Sequence, residues 1–253
     1  MKPEPTRSRG TGVRKMMAGA ALMVLCLAPT AAALAQGVGI GGPTPLATDL
    51  RKVPVGSWAE YTITVGAAQE MKLTSRWALV GRNADASTLE VAMEGPPLQP
   101  MGGLVVLRLA LAPDPIGSAK PVRRIVMKVG TRAPMEMPLD MPGLPAQRFQ
   151  KPDPSKIVGT ESIKVPGGTF NTTHYRDVSA SATIETWISD EVPPLGLVRV
   201  KTLPTPGAAG PGGQPIPAVV MELNKKGKDA KSMVTQPIQP FNPSAFGAAP
   251  AKK

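Results

Sequence analysis

Cysteine is nearly absent from this sequence: the single one, Cys26, lies in an N-terminal stretch that we expect to be removed. A mature chain without cysteine has no disulfide, no zinc–thiolate site and no cysteine nucleophile. Histidine is equally scarce, because His174 is the only one and a metal site built on imidazole needs a second. We therefore predict that the protein has no cofactor and that its apolar core alone holds the fold together.

Residues 1–35 have the organisation of a secretory signal peptide. Five basic residues precede an apolar run at residues 16–27, and Ala33-Leu34-Ala35 forms a small-x-small cleavage signal before Gln36. The apolar run is too short for a spanning helix and is closely followed by Pro29, so an uncleaved anchor is the less favoured alternative. The pattern predicts a periplasmic or secreted protein that begins at Gln36 and has no transmembrane span after cleavage.

A sustained helical pattern is also missing from the mature sequence, because prolines and glycines interrupt it throughout. Apolar residues alternate in short segments between turn residues, which predicts an all-β fold. We expect an antiparallel meander, arranged as a curled sheet or as an open barrel or sandwich, with disordered N- and C-terminal segments. The expected organisation is a flexible entry segment (36–54), an N-terminal β half (55–129), a Pro- and Met-rich linker (130–154), a C-terminal β half (155–223) and a basic flexible tail (224–253).

Alternation assigns faces to the strands of the N-terminal half. Strands are predicted at residues 57–65, 70–80, 88–93, 104–112 and 121–129, and a last one at 218–223. In the first, Tyr61, Ile63 and Val65 share a face, and in the second Leu73 and Trp77 do so. The run at 104–112 is almost continuously apolar, which is typical of a strand buried on both sides.

The C-terminal half gives the strongest pattern, with four strands predicted at 156–165, 169–178, 183–189 and 197–202. They are separated by the turn residues Pro166-Gly167-Gly168 and by the sequence VPPLG at 192–196. In the third of these strands both faces carry bulky apolar groups, so Trp187 either packs in a core or lines a groove with Phe170 or Tyr175. We favour packing, and Phe170, Tyr175 and Trp187 are the candidate ligand-binding residues if there is a groove.

Two segments of this half carry a resemblance. The sequence IKVPGGTFNTTHYRD followed by TWISDEVPPLGLVRV resembles a family of exported bacterial proteins of unknown function with a VPxGTF turn and strand, a Trp-bearing strand and a VPxG turn. That family is similar to the outer-membrane lipoprotein-carrier fold. The resemblance implies a curled antiparallel sheet with an apolar concave face. The carrier fold also packs helices on its sheet, and this sequence offers none.

The net charge of the mature chain and the position of its basic residues bear on which partners it binds. Removal of the leader leaves 24 basic and 17 acidic residues, a net charge of +7, with basic clusters at Arg123-Arg124 and around Lys225–Lys231. An exported cationic protein is drawn to anionic envelope polymers or lipid headgroups, although a solvated tail explains the same lysines. Few aromatic residues lie near them, so no nucleic-acid binding is predicted.

The sequence offers little catalytic chemistry. A serine hydrolase would have to use His174, and no GxSxG elbow is present. Glu60 and Glu185 are the carboxylates that could form a glycosidase pair across a sheet, if a sheet places them close together. Met135, Met137 and Met141 form a thioether-rich stretch that could take Cu(I), or fill gaps where a Pro-rich loop packs.

These observations predict a non-enzymatic exported β-protein. Its expected activity is to bind an apolar, lipid-like or amphipathic ligand, or to associate with an envelope component such as an anionic polymer. A structural or accessory role in the cell envelope is the second interpretation, and copper handling by the methionine stretch is the third. An apolar cavity in the structure would favour the first interpretation, and a filled core would favour the second.

Overall fold

The computed structural model describes residues 44–66, 70–139, 149–209 and 215–242. Its strands are β1 (Thr44–Pro45), β2 (Trp58–Val65), β3 (Met71–Arg82), β4 (Ser87–Glu94), β5 (Leu104–Leu111), β6 (Val122–Val129), β7 (Met135–Met137), β8 (Phe149–Gln150), β9 (Ile157–Val165), β10 (Gly168–Val178), β11 (Ala182–Ile188), β12 (Leu197–Pro204) and β13 (Val219–Gly227). Short 3-10 helices cover Pro96–Met101 and Pro154–Lys156. The signal peptide and the linker residues 140–148 lie outside the described residues.

One antiparallel sheet of eleven strands contains both predicted β halves. Its order is β7-β6-β5-β4-β3-β2-β13-β12-β11-β10-β9, and it remains open. The halves are joined by β2 and β13, which pair from Val65 with Val219 to Trp58 with Gly227. The all-β antiparallel class is therefore confirmed, and every strand predicted from alternation is present to within a few residues.

The apolar side chains of β2 to β6 pack on one face of this sheet, which we call the inner face. Tyr61, Ile63 and Val65 lie on it in β2, and Leu73 and Trp77 lie on it in β3, as alternation predicts. The hydroxyl of Tyr61 donates to the carbonyl of Leu197 at 3.1 Å, and burial raises the pKa of this phenol far above its usual range. The core on this face is filled by large side chains.

The entry segment takes part in this core, contrary to the expectation of a flexible segment. Its described residues 44–54 place Leu46, Leu50 and Val53 in buried positions. The segment is fixed to the rest of the chain by the amide of Leu46, which donates to the carbonyl of Gln150 at 2.9 Å, and by the short parallel pairing of β1 with β8. Three apolar residues spaced over eight positions supply enough buried surface to order it.

The predicted linker also contains ordered structure. Met135–Met137 forms the edge strand β7 against β6, and Met137 is buried in the core. The prolines at 134 and 138 flank this strand and are not inside it, which is the position that an edge strand tolerates. Phe149 is also buried, in β8.

The predicted flexible tail is wrong for residues 224–242. Strand β13 continues to Gly227, and the following C-terminal segment (residues 228–242) crosses the opposite, outer face of the sheet. Val234 packs there on Ala92, Val106 and Val126. Sparse apolar residues in a basic sequence concealed this packing. The segment ends beside the edge strand β7, where Met135 bridges to Gln239.

A buried carboxylate fixes the C-terminal segment to the sheet. Glu90 in β4 is only 2% exposed, and its carboxylate accepts hydrogen bonds from Arg108 Nε at 2.8 Å, Ser232 Oγ at 2.6 Å and the amide of Met233 at 2.8 Å. Arg108 also donates to the carbonyl of Val234. A buried charge needs such a complete set of partners, so this arrangement holds the segment in one position.

The last strands of the sheet curl toward the outer face. The amide of Gly167, in the turn between β9 and β10, donates to the carbonyl of Leu223 in β13 at 2.9 Å. A Cβ atom at Gly167 would lie 2.9 Å from Leu223 Cγ, so this close approach requires glycine. The curl encloses Ile163, Val165 and Phe170 on the outer face and leaves the inner face of β9 and β10 open.

Candidate functional site

The structure does not bring the three predicted ligand-binding residues together. Phe170 and Trp187 lie on the outer face and are buried, whereas Tyr175 lies on the inner face and is partly exposed. The alternation of β10 explains this separation, because Tyr175 and Phe170 are an odd number of positions apart. Of the two alternatives for a groove lined by Trp187, the one with Tyr175 is therefore wrong, and Phe170 is the residue that shares the face of Trp187.

Trp187 is a packing residue, only 6% exposed. Its ring stacks on the ring of His174, its direct cross-strand partner, with centroids 4.3 Å apart and planes 10° from parallel. Its indole Nε1–H donates to Glu161 Oε1 at 2.7 Å. On the neighbouring strand β12, Arg199 and Lys201 lie 5.6 and 5.4 Å from the Trp187 ring centroid. The curl of β9 and β10 toward the outer face thus explains how this large aromatic is covered.

His174 lies between two carboxylates in this cluster. Its Nδ1 is 3.3 Å from Glu161 Oε1 and its Nε2 is 3.6 Å from Glu185 Oε1. Glu185 accepts two hydrogen bonds from Arg176, at 2.7 and 3.1 Å. Nε2 has no hydrogen-bond partner among the described residues. A histidine with a stacked indole on one ring face and carboxylates at its nitrogens is held rigidly in place.

The candidate glycosidase pair is too far apart for that chemistry. Glu60 lies on β2 and Glu185 on β11, and two strands, β13 and β12, separate them in the sheet. Three strand spacings amount to about 14 Å, whereas paired glycosidase carboxylates lie about 5–9.5 Å apart. Each carboxylate also has a partner of its own, Asn224 for Glu60 and Arg176 for Glu185.

Two residues of the methionine stretch, Met135 and Met137, lie in the edge strand β7. Met137 is buried in the core, Met135 lies opposite Met127 on β6, and Met141 lies outside the described residues. These positions are those of methionines that fill gaps at a sheet edge. Within the described ranges, no three His, Asp, Glu or Cys side chains cluster as metal ligands would.

A concave site lies on the inner face of β9 and β10, and we call it the polar groove. It has a volume of about 610 Å³. Its lining residues are Ala47, Lys151, Pro152, Pro154, Thr160, Glu161, Ser162, Asn171, Thr172, Thr173, Tyr175, Ile188, Ser189 and Asp190. Hydroxyl and amide groups dominate this lining, so the groove is unlike an acyl-chain site.

The floor of the polar groove is a regular array of cross-strand pairs. Ser162 lies opposite Asn171, and Thr160 lies opposite Thr173, which in turn lies opposite Ile188 of β11. Tyr175 follows on the same face. Because directly opposed side chains in antiparallel strands are neighbours, the floor presents three hydroxyl groups and one amide group beside one phenol ring.

Anchored segments form the wall of the groove. The amide of Ala47 donates to the carbonyl of Leu195 at 3.1 Å, and Thr48 Oγ1 donates to the carbonyl of Pro194. On the other side, the Asp153 carboxylate accepts from the amide of Ser155 at 2.9 Å, and this bond lowers the pKa of Asp153. A site built on fixed elements is pre-organised for its ligand.

The charges around the groove nearly cancel. Lys151 contributes one positive charge and Asp190 one negative charge at the lining, and Glu161 directs its carboxylate to Trp187 and His174 on the outer face. The lining therefore offers neither a cationic surface for an anionic polymer nor an apolar surface for a lipid. Sequence reasoning missed this site. Lys151 and Asp190 come from loops distant in sequence, and the signal that was available is the alternation of β10, which puts Asn171, Thr173 and Tyr175 on one face.

A second depression of about 820 Å³ lies on the outer face at the ends of β2 to β5, beside Pro96–Met101. It is more open to solvent than the polar groove and has no aromatic side chain in its lining. Ligand sites are usually well-formed concavities with an apolar or aromatic contact, so the polar groove is the stronger candidate.

No protein-family model and no curated protein matches the chain. Among solved structures, a candidate exported protein with a YmcC-like fold from Bacteroides fragilis has a TM-score of 0.33 and 11% identity, over 73% of this chain and 100% of that one. The hypothetical protein CT021 from Chlamydia trachomatis has a TM-score of 0.39 and 14% identity, over 78% and 100%. A LolA-superfamily protein from Nitrosomonas europaea has a TM-score of 0.18 and 7% identity, over 79% and 94%. At scores this low, the similarities do not assign an activity.

In the part of the chain that the structure describes, no helix has the length and apolar character needed to cross a membrane.

Proposed function

We propose that this chain is an exported, non-enzymatic binding protein and that its polar groove takes a neutral, hydroxyl-rich ligand such as a glycan segment. The observation that supports this proposal is the set of side chains that line the groove. Thr160, Ser162, Asn171 and Thr173 present groups that both donate and accept hydrogen bonds, and Tyr175 adds a partly exposed aromatic ring. Sugar hydroxyls need both kinds of partner, and their C–H faces pack on aromatic rings.

The lipid-like ligand expected from the sequence receives less support. An acyl chain needs an apolar cavity, and the inner face of β2 to β6 is filled by its own side chains, with Tyr61 and Leu79 completely buried. The filled core favours the structural or accessory role over lipid binding, and the polar groove is the observation that supports a binding function instead. The structural or accessory role predicts that the polar groove binds nothing.

Isothermal titration calorimetry with three neutral hexasaccharides, cellohexaose, maltohexaose and chitohexaose, tests the proposal. We expect at least one to bind, with an affinity reduced about tenfold by Tyr175→Ala, since aromatic contacts are worth about 0.5–1.5 kcal/mol beyond their area. Thr173→Val keeps the β-branched shape and removes one groove hydroxyl, and it should also weaken binding. The matched control is Thr64→Val on the outer face of β2, which should bind like the wild type.

Polygalacturonic acid oligomers and lysophosphatidylcholine are the counter-ligands. If the acidic oligomer or the lipid binds and none of the neutral hexasaccharides does, the proposed ligand chemistry is wrong. If none of the five ligands binds, the accessory interpretation replaces the binding one.

A further inference from the structure

The polar groove adjoins a second, smaller groove. The smaller one has a volume of about 210 Å³ and is bounded by the entry segment at residues 46–51 and by the loop at residues 113–116. Ala47 and Lys151 line both grooves. The two grooves meet at Ala47 and Lys151 because β1 pairs with β8. This pairing places the entry-segment residues that follow β1 beside Lys151, which follows β8.

Three of the four charged groups that line the smaller groove have hydrogen-bond partners within the protein. Arg51 donates to both carboxylate oxygens of Asp49, at 2.9 Å each, and this hydrogen bonding lowers the pKa of Asp49. The Asp114 carboxylate accepts from the amides of Ile116 and Gly117, at 3.2 and 3.1 Å. Arg51 offsets the charge of Asp49, and the lining also holds one further charge of each sign, Lys151 and Asp114. The smaller groove therefore has the same near-neutral, polar character as the polar groove.

We infer that the two grooves together form one trough for several consecutive units of a linear neutral glycan, with the smaller groove acting as an additional subsite. This inference rests on the proposed function, because it extends the same ligand beyond Lys151. The volumes of 610 and 210 Å³ stand in a ratio near three to one. If the smaller groove holds one unit, the polar groove holds about three, and the trough accommodates about four.

Ile116 is the residue that distinguishes the subsite from the main groove. Its side chain is 41% exposed and lines only the smaller groove. Ile116→Ala removes this exposed apolar contact from the smaller groove and adds no ring on which a sugar could stack. Val55→Ala is the matched control, because Val55 is a 48% exposed apolar residue that lines neither groove.

The test measures affinity by calorimetry against oligomers of two to six units, taken from whichever of the three neutral series binds the wild type. Affinity should increase up to about four units and then level off, with a gain of about tenfold from three to four units, the scale of one added contact site. Ile116→Ala should lose most of the gain from three to four units and keep the affinity for the trimer. Val55→Ala should behave like the wild type.

Two failures are distinguishable. If neutral oligomers bind but affinity levels off at two or three units, or if Ile116→Ala leaves the gain intact, the subsite is wrong and the proposed function stands. If no oligomer of any length binds, the proposed function fails and the subsite fails with it. A gain that continues to six units also contradicts the four-unit trough.

Discussion

Replacement of Trp187 by alanine should destabilise the protein by about 3–5 kcal/mol, the usual cost of removing a buried tryptophan. The indole is nearly inaccessible, stacks on His174 and donates to Glu161 at 2.7 Å. Loss of the hydrogen bond to Glu161 adds only part of the free energy of a buried hydrogen bond to this destabilisation. The Glu161 side chain is 49% exposed, so in the variant its carboxylate accepts from water instead. For a chain of this size, the expected fall in melting temperature is roughly 6–20 °C.

Trp58→Ala is the matched control for this prediction. Trp58 lies on the same sheet face and also donates its indole N–H to a carboxylate, that of Asp229 at 2.8 Å, but it is only partly buried. Replacement of Trp58 should lower the free energy of unfolding by clearly less than replacement of Trp187. Urea unfolding followed by circular dichroism measures both variants. An unchanged midpoint for Trp187→Ala, or equal losses for the two variants, would refute the assignment of Trp187 to the core.

Three other predictions concern the C-terminal segment, acid stability and export. Glu90→Gln should lower the free energy of unfolding by about 2–3 kcal/mol, which is below the usual 3–5 kcal/mol for a broken buried pair because the Arg108 side chain is 23% exposed. Trypsin should then cut the variant faster at Lys228 and Lys231. An unchanged rate would contradict the fixation of the C-terminal segment by Glu90. The hydrogen bond from Trp58 lowers the pKa of Asp229 below its ordinary 3.8, so its stabilisation is present above pH 3.8 and is lost as the pH falls through the lowered pKa. Asp229→Asn should therefore flatten part of the acid limb of a stability–pH profile, and an identical profile would exclude this contact as a cause. Intact mass of the protein from its native envelope should show a chain that begins at Gln36, and retention of residues 1–35 would refute the signal peptide.

Local alternation was sufficient to predict most strands, because a strand with one buried face must keep its register. Tyr61, Ile63 and Val65 and the four-strand meander around Trp187 follow from this rule. The pairing of β2 with β13 could not be predicted from alternation within the strands. It joins residues more than 150 positions apart, and nothing in either strand's own pattern names its partner.

The C-terminal segment and the candidate site show where local patterns lose their predictive value. Val234 is one apolar residue in a basic, Pro-containing stretch, and its burial depends on a surface formed by β4, β5 and β6. Alternation in β10 separates Tyr175 from Phe170, but only the pairing of His174 with Trp187 shows which of the two shares the face of Trp187. The polar groove combines strand residues with Ala47, Lys151 and Asp190, so its composition depends on the assembled fold.

The central claim is that the inner face of β9 and β10 binds a neutral, hydroxyl-rich ligand. Nuclear magnetic resonance of the isotope-labelled mature chain, titrated with the best-binding neutral hexasaccharide, tests it most directly. Amide shifts should concentrate at Thr160, Thr173, Tyr175 and Ile188 and leave the outer-face residues Arg76 and Glu94 unchanged. Shifts centred on the outer face, or a spectrum unaffected at saturating ligand, would contradict the claim.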